Sequence, residues 1–215
     1  MSALEQFFTS WLGQIVITAV ILLFLYIISL SAPEKNKSEK GRLYTLTVSA
    51  LLISAAFVIG RFPVLKMPQG GSVTLCSMLF LYLTGYFFGA RAGIFAGAVY
   101  GMLDLLISPS VYYPMQVILD YPLAYAFVGA GALFRNNKHG LYLGYAAGVA
   151  GRFLSSFLSG FIFFGEYAPE GYSAAGWSLW YNFTYLGTEA ALTLVVMFIP
   201  VVHRMLSRTK KEIGI

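Results

Sequence analysis

Long apolar runs broken by short polar segments dominate the chain. A bilayer-spanning helix needs roughly 20 mostly apolar residues, and seven stretches come close: 11–31, 43–60, 73–89, 92–108, 117–134, 141–164 and 180–203. The apolar runs are continuous rather than alternating, which selects helices over a membrane β-barrel. The predicted architecture is therefore an all-α integral membrane protein. It divides into an N-terminal part, 1–42, made of one transmembrane helix and a charged linker, and a six-helix membrane block, 43–215. The breaks at 61–72, 109–116, 135–140 and 165–179 are rich in Gly, Pro and polar residues.

The first apolar run lacks the positive n-region of a signal peptide, because residues 1–10 hold no Lys or Arg. It reads as a retained helix. Orientation follows from the basic residues. Lys35, Lys37, Lys40 and Arg42 crowd the linker, which places it in the cytoplasm and the N-terminus outside. Alternation then puts Arg91, Arg135, Lys138, Arg204, Arg208, Lys210, Lys211 and the C-terminus inside. Only Arg61 and Lys66 fall in an outer loop. The segments 61–72, 109–116 and 165–179 share the outer face, so ligand capture is expected there.

Composition agrees with this reading. Of 215 residues, 58% are apolar and 11% charged, against roughly a quarter charged in a soluble domain. The net charge of +5 sits in short loops and at the C-terminus, so it orients the chain in a bilayer and marks no nucleic-acid surface. The single cysteine, Cys76, lies in an apolar run and reads as a small buried residue. His139 and His203 lie apart on the cytoplasmic side, so no metal or haem site is expected, and no cofactor. No nucleophile elbow, metalloprotease helix or Walker A loop is present, so the chain is not expected to be an enzyme or to hydrolyse ATP. Polar residues cluster at the outer end only, which argues against a channel.

Three outer segments carry candidate chemistry. Met67-Pro68-Gln69-Gly70-Gly71-Ser72 reads as a tight turn or as backbone that approaches a ligand. Tyr112-Tyr113-Pro114-Met115-Gln116 leads into Leu119-Asp120-Tyr121-Pro122. Asp120 sits about one turn inside an apolar helix, where a carboxylate is costly unless it is paired or functional. Pro122 removes a backbone hydrogen bond and can open the helix locally. Phe161 to Gly171 forms an aromatic helix end and an acidic loop, continued by Trp177, Trp180, Tyr181 and Asn182. An interfacial aromatic belt explains Trp180 and Tyr181 but not Asn182. Together the outer face offers a carboxylate, an amide and aromatic faces, which suits a flat cationic ligand. Arg152 and Glu189 fall at mid-depth and are expected to pair with each other. Asp104 lies toward the outer end of its helix, within reach of polar loop groups.

These segments resemble the thiamine-specific substrate-binding (S) component of energy-coupling factor transporters, the ThiT or YuaJ family. The matching strings are Pro68-Gln69-Gly70-Gly71-Ser72-Val73, Pro114-x-Gln116 with Leu119-Asp120-Tyr121-Pro122-Leu123-Ala124, Arg152-Phe153, Ser159-Gly160, Phe163-Phe164, Tyr167-Ala168-Pro169-Glu170-Gly171, and Ser178-Leu179 with Tyr181-Asn182. They run in the family's order over residues 43–206. The resemblance implies a six-helix S-component fold and thiamine capture from outside, beneath a lid made by the first outer loop. It also implies assembly with a transmembrane coupling subunit and two cytoplasmic ATPases in a bacterial cell membrane. By the same resemblance Asp120 binds the aminopyrimidine, Tyr121 and Asn182 are polar contacts, Gly160 lies under the ligand, and Phe164 and Trp177 stack on it. Ser156, Tyr113 and Gln69 complete the expected site. Ala50 and Ser54, on the first core helix, would face the coupling subunit. Leu65 and Ser156 replace a tryptophan and a histidine common in the family, which leaves a thiamine precursor as an alternative ligand.

Overall fold

The computed structural model describes residues 39–67 and 71–213, together with Leu12. The expected first span, 11–31, lies outside the described residues, apart from Leu12, as does Gln69. The described chain begins with α1, Glu39–Gly60. A short antiparallel hairpin follows, β1 (Leu65–Lys66) and β2 (Ser72–Val73), with Leu65 opposite Val73 and Lys66 opposite Ser72. Then come α2 (Ser77–Phe88) and α3 (Ala90–Ile107). The broken helix α4 (Pro114–Phe134), α5 (Gly140–Phe163), α6 (Ala174–Phe198) and α7 (Pro200–Glu212) complete the order.

Helices α1, α3, α4 and α5 are long and apolar enough to cross a bilayer. Helix α2 is not: it has 12 residues, about 18 Å at 1.5 Å per residue. The expected span 73–89 is thus shortened, because Ser72 and Val73 are spent on the hairpin. Helix α2 instead forms the centre of the bundle. Every residue from Ser77 to Phe88 except Phe80 is buried, and Tyr82, Met78 and Leu81 are fully enclosed beside Tyr145, Leu186 and Met197. A central helix wrapped by others meets no lipid and so need not match the membrane thickness.

The expected span 180–203 is also corrected. Helix α6 starts earlier, at Ala174, inside the segment read as loop. Its N-cap Ser173 accepts a hydrogen bond from the Gly176 amide at 3.0 Å. At Ile199 the backbone turns extended before Pro200, and α7 leaves at 83°. Helix α7 is basic and amphipathic. Its one buried residue, Leu206, packs against the core. Lys210 Nζ donates to the Arg135 carbonyl and lies 4.4 Å from the Tyr86 ring centre. Tyr142 hydrogen-bonds His203 Nδ1 at 2.9 Å and stacks on its ring. These contacts fold α7 across the end of the bundle that holds Arg135.

The α3–α4 contact is backbone on backbone. A Cβ at Gly129 would run into the Gly93 carbonyl, and one at Gly97 into the Tyr125 carbonyl. Glycines let the helices approach this closely where lipid supplies no hydrophobic squeeze.

Candidate functional site

Two of the bundle helices are interrupted where the candidate ligand groups sit. In α4, Leu119–Leu123 forms a π-helical turn around Pro122, which has no N–H to give the regular ladder. The opening expected at Pro122 is therefore present, and it carries Asp120 and Tyr121. In α6, Phe183–Gly187 forms a second π-helical turn directly after Asn182. Such turns re-aim side chains at the expense of one ladder bond and recur at functional sites.

Both turns border a cavity of about 620 Å³. Its walls come from α3, α4, α5 and α6, from the loops at 110–112 and 164–167, and from Gly71 and Ser72 of the hairpin. Of the residues expected in the site, Asp120, Tyr121, Ser156, Gly160, Phe164, Trp177 and Asn182 all line it. Tyr113 does not. It occupies the N-cap of α4 in an extended conformation, and its ring turns away to stack on Phe163 at 5.1 Å.

The polar groups are held individually. Gln116 Nε2 donates to Asp120 Oδ2 at 2.7 Å. The Ser159 hydroxyl of α5 is a second polar neighbour of the Asp120 carboxylate. Tyr121 OH donates to the Ser108 carbonyl and accepts from the Ser110 amide, both at 2.9 Å, which pins the rim loop. Asn182 Nδ2 donates to the Ser178 carbonyl at 2.9 Å, and its Oδ1 accepts from Tyr185 OH at 2.8 Å. One lone pair of Oδ1 stays open. Ser159, which the sequence offered only as part of a matching string, lines the cavity with a buried hydroxyl beside the Asp120 carboxylate.

The apolar part is aromatic. Tyr112 meets Phe164 edge-on at 5.4 Å. Trp177 packs between Tyr172 at 5.4 Å and Tyr181 at 6.1 Å. Trp180 is exposed, in keeping with a membrane-interface belt. The hairpin closes over this wall: the Gly71 amide donates to Tyr181 OH at 2.7 Å. A Cβ at Gly71 would stand 2.7 Å from that hydroxyl and 2.8 Å from Tyr185, so the backbone here needs glycine. At Gly160 a Cβ would collide with Ser178 Oγ.

A second compartment, also about 620 Å³, adjoins the first through Asp104, Tyr125 and Arg152. It corrects the expected Arg152–Glu189 pair. Arg152 lies over the Tyr125 ring, 4.2 Å from its centre, and donates to its hydroxyl at 3.1 Å. Glu189 instead accepts from Ser77 Oγ at 2.9 Å and from the Thr74 and Met78 amides at 3.1 and 3.4 Å. It caps the start of α2, where the N-cap position, Cys76, offers no side-chain cap. Cys76 itself is buried, as expected, with φ at 66°. Asp104, for which the sequence suggested only polar loop groups, pairs with Arg61 and accepts from Tyr125 OH at 2.9 Å. Burial works against the Arg61 charge, but the Asp104 hydrogen bond and attraction outweigh it and raise its pKa. Among the described residues no cluster of His, Cys, Asp and Glu could hold a metal.

The model of the thiamine transporter protein family (Thia_YuaJ) matches residues 46–208, which covers α1 from its second turn through most of α7. The chain belongs to that family. The thiamine transporter ThiT of Bacillus subtilis (strain 168) is 29% identical over 178 residues, covering 74% of this chain and 91% of that one. The ThiT of Lacticaseibacillus paracasei is 32% identical over 126 residues, 51% of this chain and 63% of that one. The solved structure of ThiT from Listeria monocytogenes superposes with a TM-score of 0.62 at 23% identity, covering 80% of this chain and 98% of that one. The Thia_YuaJ match spans every wall of the cavity, and its members are transporters rather than enzymes. The chain is a multi-pass membrane protein.

Proposed function

We propose that this chain captures thiamine from outside the cell and serves as the S component of an energy-coupling factor importer. The observation that carries this reading is the Asp120 carboxylate. It sits inside an aromatic-walled cavity with Oδ2 held by Gln116 and the Ser159 hydroxyl beside it. Thiamine joins an aminopyrimidine, whose exocyclic amine donates, to a cationic thiazolium. The acceptor capacity left on the carboxylate suits the amine. The faces of Phe164, Trp177 and Tyr181 suit the cation, at about 0.5–2 kcal/mol per good contact. Asn182 contributes its open lone pair, Gly160 leaves room for the ring, and Ser156 and Tyr121 complete the polar floor.

The same reading fixes orientation. The 110–112 loop and the hairpin line the cavity, while Arg91, Arg135, Lys138 and the basic α7 lie toward the opposite end of the helices. With basic residues inside, the cavity faces the exterior and the C-terminus faces the cytoplasm. With no nucleotide-binding motif in this chain, ATP-driven release calls for partners, namely the coupling subunit and two ATPases that the family resemblance implies. Ala50 and Ser54 lie exposed on α1, available to the coupling subunit.

Calorimetry with purified protein in detergent tests the ligand. Thiamine should bind the unaltered chain, and Asp120→Ala should lower its affinity at least 100-fold. Unchanged affinity in that variant sinks the site. Tighter binding of the isolated pyrimidine or thiazole half than of thiamine reassigns the ligand to a precursor. Mass spectrometry of the small molecules that co-purify gives an independent answer.

A further inference from the structure

Gln116 lines neither compartment and is 1% exposed, yet all of its polar atoms are engaged. Its Oε1 accepts from the Tyr112 amide at 3.2 Å. Its Nε2 donates to the Ser110 carbonyl at 3.0 Å and to Asp120 Oδ2 at 2.7 Å. A main-chain N–H can only donate and a carbonyl can only accept, so both neighbours demand the same orientation of the amide. Nε2 must therefore present a hydrogen to Asp120, and Oδ2 is committed as an acceptor. A ligand then meets the acceptor capacity that Gln116 and the neighbouring Ser159 hydroxyl leave on the carboxylate.

The same amide fixes the rim. Ser110 and Tyr112 both line the cavity, and the Tyr112 ring meets Phe164. One buried side chain thus joins the polar anchor to the aromatic entrance.

We propose that Gln116 is the positioning residue that gives this site its selectivity for an amine-bearing ring. It dictates which Asp120 oxygen faces the cavity and ties that orientation to the rim loop, without touching the ligand. The proposal rests on the reading of Asp120 as the anchor for the thiamine amine. With Oδ2 occupied, the cavity sees only acceptor capacity, so a ring edge carrying N–H is rewarded and a bare C–H edge is not. Without the Gln116 donor only the Ser159 hydroxyl holds the carboxylate, which can then turn, and its preference for one edge is lost.

Gln116→Glu separates this role from a purely structural one. It keeps size and an acceptor for the Tyr112 amide, but it sets an oxygen against Asp120 and the Ser110 carbonyl. Two ligands are titrated by calorimetry: thiamine and an analogue with hydrogen in place of the pyrimidine amine. The expected result is a loss of thiamine affinity of tenfold or more, with less than a threefold change for the deamino analogue. Gln116→Met should show the same split, with thiamine weakened tenfold or more and the deamino analogue by less than threefold. Thiamine binding within threefold of the unaltered chain in these variants overturns the proposal. So does an equal loss for both ligands, or failure of both variants to fold, since each assigns Gln116 to the framework. If the unaltered chain does not bind thiamine, the functional reading itself falls and takes this proposal with it.

Discussion

Glu189 shows how a carboxylate at the wall of the second compartment can be structural in a protein whose Asp120 carboxylate lines the main one. It takes three donors at the start of α2, and each donor stranded by its loss costs about 1–3 kcal/mol. Glu189→Ala is therefore expected to lower the thermal unfolding midpoint in detergent by the equivalent of roughly 3 kcal/mol. Thiamine affinity of the protein that remains folded should hold within threefold. A stable variant with abolished binding would move Glu189 into the ligand site. At this scale the sequence spoke selectively. A charge in an apolar helix is conspicuous, so Asp120, Arg152 and Glu189 stood out at once. Their partners did not. The hydroxyl and ring of Tyr125, and main-chain amides at a helix start, leave no charge pattern to read, and two opposite charges at similar depth suggested a pair that does not form. Tyr113 was misjudged for a related reason: at a helix cap, backbone direction decides where a ring points.

Helix packing sets the next constraint. Gly93 and Gly129 bring α3 and α4 into backbone contact, and α4 carries Asp120. Gly129→Ala should cost about 1–3 kcal/mol, because neither backbone can yield without the other. A shifted α4 should also weaken thiamine binding. A parallel measurement of unfolding temperature and affinity checks both, and an unaffected protein would show that the two helices are free to separate. Among the described residues the six expected core helices and the opening at Pro122 were legible, since apolar length and proline leave direct signatures. The short α2 was not, because two hairpin residues and a buried helix read like one continuous span. The break before Pro200 was not expected, because the apolar run continues through Val201 and Val202, although a proline disfavours a continuing helix.

The whole molecule has two unlike ends, one with the cavity and one with most of the basic residues. In a Cys76→Ser background, a cysteine at Leu65 should react with a membrane-impermeant maleimide in intact cells. A cysteine at Arg208 should react only after permeabilisation; the reverse pattern would invert the proposed topology. Arg61 ties the end of α1 to α3 through Asp104, but both side chains are partly exposed, so Arg61→Ala should cost no more than about 1 kcal/mol. That modest tether matters because the main cavity takes no wall residue from α1. On the proposed function, the α1 surface that would meet a coupling subunit and the chamber that would hold the ligand come from separate stretches of the gene. Substitutions that re-line the chamber for another small molecule would leave α1 unaltered, so a lineage could diversify its diet while keeping one shared engine.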